Sequence, residues 1–279
     1  MPATSGRPPQ KRSGSGERAD RGKGKPPAEK GRPPAGKGRP PAGKGRPPAR
    51  GPRPDRADRA DRADRDPRIP DDIHLDDLDP GVLNELRTLP EGLAEMVGRH
   101  LLAAEAALLD DDVDRAAAHV QAAHRRAARV SAVREAAGFV AYRQGDYAKA
   151  LNEFRAVRRM TGSDAFIPIM ADCERGLGRP ERALDLLKEL RGAPPEVRIE
   201  GLIVGAGARA DLGQLDAGLV MLRVPELEGD FDPEMQARLQ YAYADLLEQT
   251  GEIEQARAWF AKAAALDTAE LTDAAERAG

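Results

Sequence analysis

A residue type that tolerates left-handed backbone recurs along this chain at nearly constant spacing. Asp111, Gly145, Gly178, Gly213 and Gly251 stand 34, 33, 35 and 38 residues apart. Each lies between stretches rich in Ala and Leu with helical spacing, and no alternating strand pattern persists. A tight connection between two helices needs a positive φ, which favours Gly and then Asp or Asn. Other columns keep step with these positions. Five residues past each stands a small residue: Ala116, Ala150, Ala183, Gly218 and Ala256. Seven before each stands another: Ala104, Gly138, Ala171, Ala206 and Ala244. Nine past lie the apolar residues Val120, Phe154, Leu187, Leu222 and Phe260. Small facing residues let two helix axes approach, and the larger apolar residue fills the space toward the next unit. A single hairpin cannot bury such a face, whereas a stack of them can.

The columns are clearest in AAGFVAYRQGDYAKALNEF, residues 136–154, and in AYADLLEQTGEIEQARAWFAKAAALD, residues 242–267. This pattern resembles the tetratricopeptide repeat (TPR) family over about residues 97–270. The resemblance implies an all-α fold, a right-handed α-solenoid of about five helix-turn-helix units beginning near 97, 131, 164, 199 and 237. The family's early Trp is replaced by His100, Arg134, Ile167, Leu202 and Gln240, and its first-helix Tyr by Ala107, Ala141, Glu174, Arg209 and Leu247. Pro168 is expected to delay the third unit's first helix, and Pro225 to end the fourth unit's second helix early.

The flanks differ from the repeats. Residues 1–66 hold 19 Lys and Arg against 8 Asp and Glu, whereas residues 67–279 hold 25 against 39. Four heptads, KGKPPAE, KGRPPAG, KGRPPAG and KGRPPAR, run from Lys23 to Arg50, and DRA triplets follow from Asp55. With no Leu, Ile, Val or aromatic residue up to position 66, nothing there offsets the entropy of ordering. Residues 1–70 are therefore expected to be a disordered, low-complexity basic tail. Such a tail binds nucleic acid, ribosomes or an acidic surface by counterion release, folds back on the acidic body, or only keeps the chain soluble. Residues 71–96 are read as a lead-in with a capping helix opened by Asp79 and Pro80. The solenoid is assigned to 97–267, and a polar capping helix to 268–279. No apolar run reaches the length of a membrane span, and the start lacks the apolar core of a signal peptide, so a cytoplasmic location is expected. One cysteine, Cys173, excludes an intramolecular disulfide framework.

Three stretches invite a chemical reading. GLIVGAGARADLG, residues 201–213, carries a G-x-G-x-x-A run around Gly205 and Gly207, but the register places it inside a first helix, away from any βαβ context. DDDVD, residues 110–114, lacks the glycine and glutamate that a calcium loop needs at its sixth and twelfth places, where Arg115 and Gln121 stand. His119 and His124 are five apart and do not share a helix face. No acid–base pair, nucleophile triad, phosphate loop or metal set emerges, so neither enzymatic activity nor a cofactor is expected. Arg125, Arg126, Arg129, Arg155, Arg158 and Arg159 gather near the ends of two second helices, as a solvated basic face or as a patch formed by stacking.

By the resemblance, first helices line a concave groove that holds a peptide or helix of another protein. The inward-facing places are Glu135, Phe139, Tyr142, Arg143, Asp172, Arg175, Asp211, Tyr241, Asp245 and Glu248. Leu101, Glu105, Ala136, Ala165 and Ile169 stand where chaperone-binding relatives carry a carboxylate clamp, so recognition of a chaperone tail is not expected. The sequence thus predicts an interaction scaffold, with a nucleic-acid- or ribosome-associated accessory protein as the alternative. It leaves the partner's identity and the oligomeric state open.

Overall fold

The computed structural model describes residues 66–229 and 231–279. The expectations for the N-terminal tail, its disorder and its binding to nucleic acid or acidic surfaces, lie outside the described residues. Twelve α-helices and three short 3-10 turns make up the regular structure, with no strand among the described residues. Helix α1 spans Pro80–Leu86, and its start is set as the sequence indicates: the Asp79 carboxylate accepts from the Gly81 amide at 2.7 Å and the Val82 amide at 3.4 Å.

Ten helices then form five antiparallel hairpins: α2 (Glu91–Leu109) with α3 (Val113–Ala127), α4 (Ser131–Arg143) with α5 (Tyr147–Thr161), and α6 (Ile167–Gly176) with α7 (Pro180–Leu187). The series continues with α8 (Pro195–Asp211) and α9 (Leu215–Leu222), then α10 (Pro233–Gln249) and α11 (Ile253–Leu266). Each second helix packs on the first helix of the next hairpin, and first helices also meet one another, α2 with α4, α6 with α8 and α8 with α10. This is a solenoid of helix-turn-helix units. Helix α2 begins at Glu91, ahead of the expected 97, directly after Pro90 as its N-cap, and α8 begins at Pro195, ahead of 199, with the proline at the first helical position, where its fixed φ suits a helical entry. Pro168 sits at the second residue of the short α6, and α9 stops ahead of Pro225, which opens a 3-10 turn. Within 268–279 the helix covers only Ala274–Ala278, α12.

All five turn positions adopt positive φ: 57° at Asp111, 73° at Gly145, 70° at Gly178, 70° at Gly213 and 88° at Gly251. The same pair of hydrogen bonds closes every turn, the first running from the turn residue's own amide to the carbonyl three residues back. The residue after the turn position donates to a carbonyl five residues back, Asp112 to Ala107 at 2.8 Å, Asp146 to Ala141 at 2.9 Å and Arg179 to Glu174 at 2.9 Å. Gln214 to Arg209 at 2.8 Å and Glu252 to Leu247 at 2.9 Å complete the set. This double closure satisfies carbonyls that the helix end would leave bare. In the first two hairpins the donor residue also caps the next helix, the Asp112 and Asp146 carboxylates accepting from Arg115 and Lys149 amides at 3.0 and 3.1 Å.

The small-residue columns are all buried, and four of the five apolar residues beyond them are as well, Leu187 being half-buried. Phe154 and Phe260 are completely shielded from solvent, each worth about 2–3 kcal/mol of transfer free energy. The core is therefore a row of interfaces between helices in which rings and branched chains fill the space left by small residues, Phe154 at Gly138 of its own hairpin and Leu187 at Gly205 of the next.

Candidate partner-binding groove

The first helices bury one side and leave a stripe on the other. On α4, Val133, Ala137, Val140 and Ala141 face inward, so Phe139 and Tyr142, three apart, stand together on the opposite side. On α6 the stripe is Ile169, Asp172 and Arg175; on α8 it is Glu196, Glu200 and Ile203; on α10 Met235 and Arg238. Together with Phe166 these residues line a groove of about 540 Å³, whose larger apolar lining residues include Phe139, Phe166, Ile169, Ile203 and Met235. A second concavity of about 440 Å³ shares Arg175, Ile203 and Arg238 with it and runs on past Asp211, Tyr241 and Asp245. Phe139 remains 37 % exposed although it packs edge-on against Phe154 and Phe166, with centroids 5.2 and 6.1 Å away.

A polar chain runs along the groove across three units. The Tyr142 hydroxyl donates to Asp172. Arg175 donates to the other Asp172 oxygen at 2.8 Å and reaches Asp211 with two bonds, Nε at 2.8 Å and Nη2 at 3.2 Å. Gly207 makes that reach possible, since a Cβ there would lie 2.6 Å from the guanidinium carbon. Burial, reinforced by the hydrogen bond to Asp172, raises the Tyr142 phenol well above its ordinary value, so it stays a donor. Burial opposes the charge on Arg175, but its bonds to Asp211 and Asp172 more than compensate and raise its pKa.

At the other end, α12 contributes Arg277. It donates to the Tyr241 hydroxyl and to Asp245, each at 2.8 Å, pairs with Glu248, and lies 4.1 Å over the Phe260 ring. Tyr241 in turn donates to Asp273 at 2.7 Å. Tyr241 and Asp245 thus line the second concavity with their polar ends already held from within the chain.

Seven of the ten inward places expected from the sequence line these two hollows: Phe139, Tyr142, Asp172, Arg175, Asp211, Tyr241 and Asp245. Glu248 is tied to Arg277. Arg143 reaches sideways to Asp111 in the preceding turn. Glu135 lies toward Glu85 and Asp79, and burial together with those two charges raises its carboxyl above the usual range. The register alone did not single out Glu196, Glu200, Ile203 and Arg238. Ile203 occupies on α8 the place that Glu135 has on α4 and Tyr241 on α10, ten residues before the turn. Glu196 was hidden because α8 begins ahead of the expected unit start.

The other stretches resolve as parts of the scaffold. Residues 201–211 are helical within α8, where Gly201 and Gly205 admit Leu190 and Met221. Asp110 pairs with Arg115 at 2.6 Å, and its neighbours form the first turn and cap. No group of three or more metal-ligating side chains is gathered among the described residues. Trp259 packs edge-on to Tyr243, with centroids 5.1 Å apart, under Lys262. Four of the six arginines are held in ion pairs. Arg125 and Arg126 both pair with Asp66, Arg155 with Glu174 at 2.9 Å, and Arg158 with Asp164 and Glu189 at 2.8 and 2.7 Å.

One buried pair escaped the sequence reading. His100 on α2 and His119 on α3, 2 % and 1 % exposed, place their Nδ1 atoms 3.0 Å apart. That geometry requires one Nδ1 to donate and the other to accept, so the two rings are never both protonated while the bond is made. Burial pushes His100 down to about 4, with the neighbouring His119 adding to the effect, and burial also lowers His119, helped by Arg115. The repeat register does hold a signal: the matching places in the next unit are Arg134 and Glu153, which form an ion pair at 2.7 Å.

No helix among the described residues is long and apolar enough to cross a membrane. No protein-family model matches the chain, and no curated protein matches it. Among solved structures it is similar to YrrB, described as a TPR protein with an unusual peptide-binding site. The two share 18% identity across 64% of this chain and 89% of that one, with a TM-score of 0.40.

Proposed function

We propose that this chain is a non-enzymatic interaction scaffold of the tetratricopeptide repeat kind, holding a segment of a partner protein against its first helices. The observation that carries this reading is the groove itself. Four successive first helices line it, and it keeps Phe139, a large aromatic residue, 37 % exposed beside a hydrogen-bonded polar chain. Exposed aromatic surface with polar groups fixed around it is the composition of a protein-binding site. Tyr142, Asp172, Arg175 and Asp211 give the wall a rigid polar pattern against which a partner's backbone can be read.

Affinity capture from native lysate with the full chain tests this, comparing wild type with Phe139→Asp at two salt concentrations. The expected result is a partner retained by wild type and lost by the variant while helicity is unchanged. A partner retained equally by both would place the binding surface elsewhere.

A further inference from the structure

The groove carries more negative than positive charge, and its cations are already committed. Asp172, Glu196 and Glu200 line it, with Asp211 at its edge and Glu234 near enough to act on Glu200. Opposite them stand Arg175 and Arg238. Arg175 is held by Asp172 and Asp211, and Arg238 by Glu200, with Nη1 2.6 Å from Oε1 and Nη2 2.9 Å from Oε2. Glu196 is exposed. Burial raises the Glu200 carboxyl above its usual range and Glu234 adds to this, with Arg238 offsetting only part of the effect. The site as it stands is short of positive charge. The apolar residues Phe139, Phe166 and Ile203 line the same groove as these carboxylates.

Resting on the reading of the groove as a partner-binding surface, we propose that its occupant is an extended basic and apolar segment of another protein. An arginine or lysine of that segment lies against Glu196 and Glu200, and an adjoining apolar side chain lies against Phe139 and Phe166. Complementary charge is the argument for the basic residue, because a cation relieves carboxylate repulsion that an acidic segment or a nucleic-acid backbone would increase. The exposed ring is the argument for the apolar neighbour, since an apolar side chain covering it removes the surfaces of both from water.

The test uses the full chain and two fluorescein-labelled ten-residue peptides, one alternating Arg and Leu, the other Ser and Leu, followed by fluorescence anisotropy. The Arg-Leu peptide is expected to bind saturably, about tenfold or more tighter than the Ser-Leu peptide, with the preference shrinking as salt is raised. The isosteric double substitution Glu196→Gln with Glu200→Gln should abolish most of that preference. Phe139→Ala, checked for helicity by circular dichroism, should weaken both peptides. If the two peptides bind wild type equally and both are weakened by Phe139→Ala, the basic partner is wrong and the groove reading stands. If neither peptide binds, or Arg-Leu binding is unchanged in both variants, the groove reading falls together with the proposal.

Discussion

Gly138 on α4 leaves the space that the Phe154 ring on α5 fills: a Cβ at position 138 would stand 2.8 Å from two ring carbons. The ring has little room to withdraw, being stacked on Phe166 at 5.4 Å and met edge-on by Phe139 at 5.2 Å. Gly138→Ala gains about 1 kcal/mol of helix propensity but overpacks the site by about 1–3 kcal/mol, so a net destabilisation of about 1 kcal/mol is expected. Urea melts check this. Combining it with Phe154→Leu should cost less than the two single changes added, because the smaller chain vacates the clash.

The turns predict changes of opposite sign. Gly145 has φ 73° with nothing near its missing Cβ, so Gly145→Ala carries only the backbone cost, about 1–2 kcal/mol. Asp111 occupies the same conformation with φ 57°, and its ion pair to Arg143 is exposed and contributes little. Asp111→Gly should therefore raise stability, by up to about 1 kcal/mol. Thermal or urea unfolding of the two variants reads both signs.

The histidine pair predicts acid sensitivity. Both folded-state pKa values lie below the ordinary value of 6.5, so the unfolded chain binds protons more readily there. The stability held at His100 is complete above pH 6.5 and is lost as pH falls from 6.5 toward 4, on the order of 2–3 kcal/mol, and His119 acts in the same direction. Asp66 pulls His100 upward while Arg125 and Arg126 push it down, and Arg115 pushes His119 down. Replacing both histidines by leucine should flatten the difference in urea stability between pH 6.5 and pH 4, with wild type compared under identical conditions.

Arg277 predicts a C-terminal lock. Its guanidinium holds Tyr241, Asp245 and Glu248 and covers the Phe260 ring. Arg277→Ala should destabilise the chain by about 1–2 kcal/mol, combining charged hydrogen bonds with a cation–π contact, and Arg277→Lys should recover only part of this. Hydrogen exchange is expected to rise first in α11 and α12.

The fold was legible because its turns impose a backbone requirement that the sequence cannot hide. Positive φ needs Gly or a short polar residue, and the small-residue columns follow from the same close helix approach. The groove was legible where the register points to aromatic or charged residues, as at Phe139, Tyr142, Asp172 and Arg175. It was not legible where a partner in the same chain draws the side chain away from the groove. Arg143 turns to Asp111, and Glu248 is claimed by Arg277, since sequence spacing fixes the face of a helix but not which neighbour reaches it. Ile203 gave no chemical signal, and Glu196 fell outside the expected start of its unit. The same register places in successive units hold His100 with His119 and Arg134 with Glu153, so chemistry at a fixed position varies while geometry does not.

The central claim is that partners meet the side formed by the first helices, around Phe139 and Ile203. Site-specific photo-crosslinking in cells addresses it directly, with a benzophenone amino acid placed at Phe139 or Ile203 and, for comparison, at the exposed Val220 on the second helix α9. The account predicts discrete protein adducts from Phe139 and Ile203 and none from Val220. Adducts from Val220 with none from either groove position would contradict it.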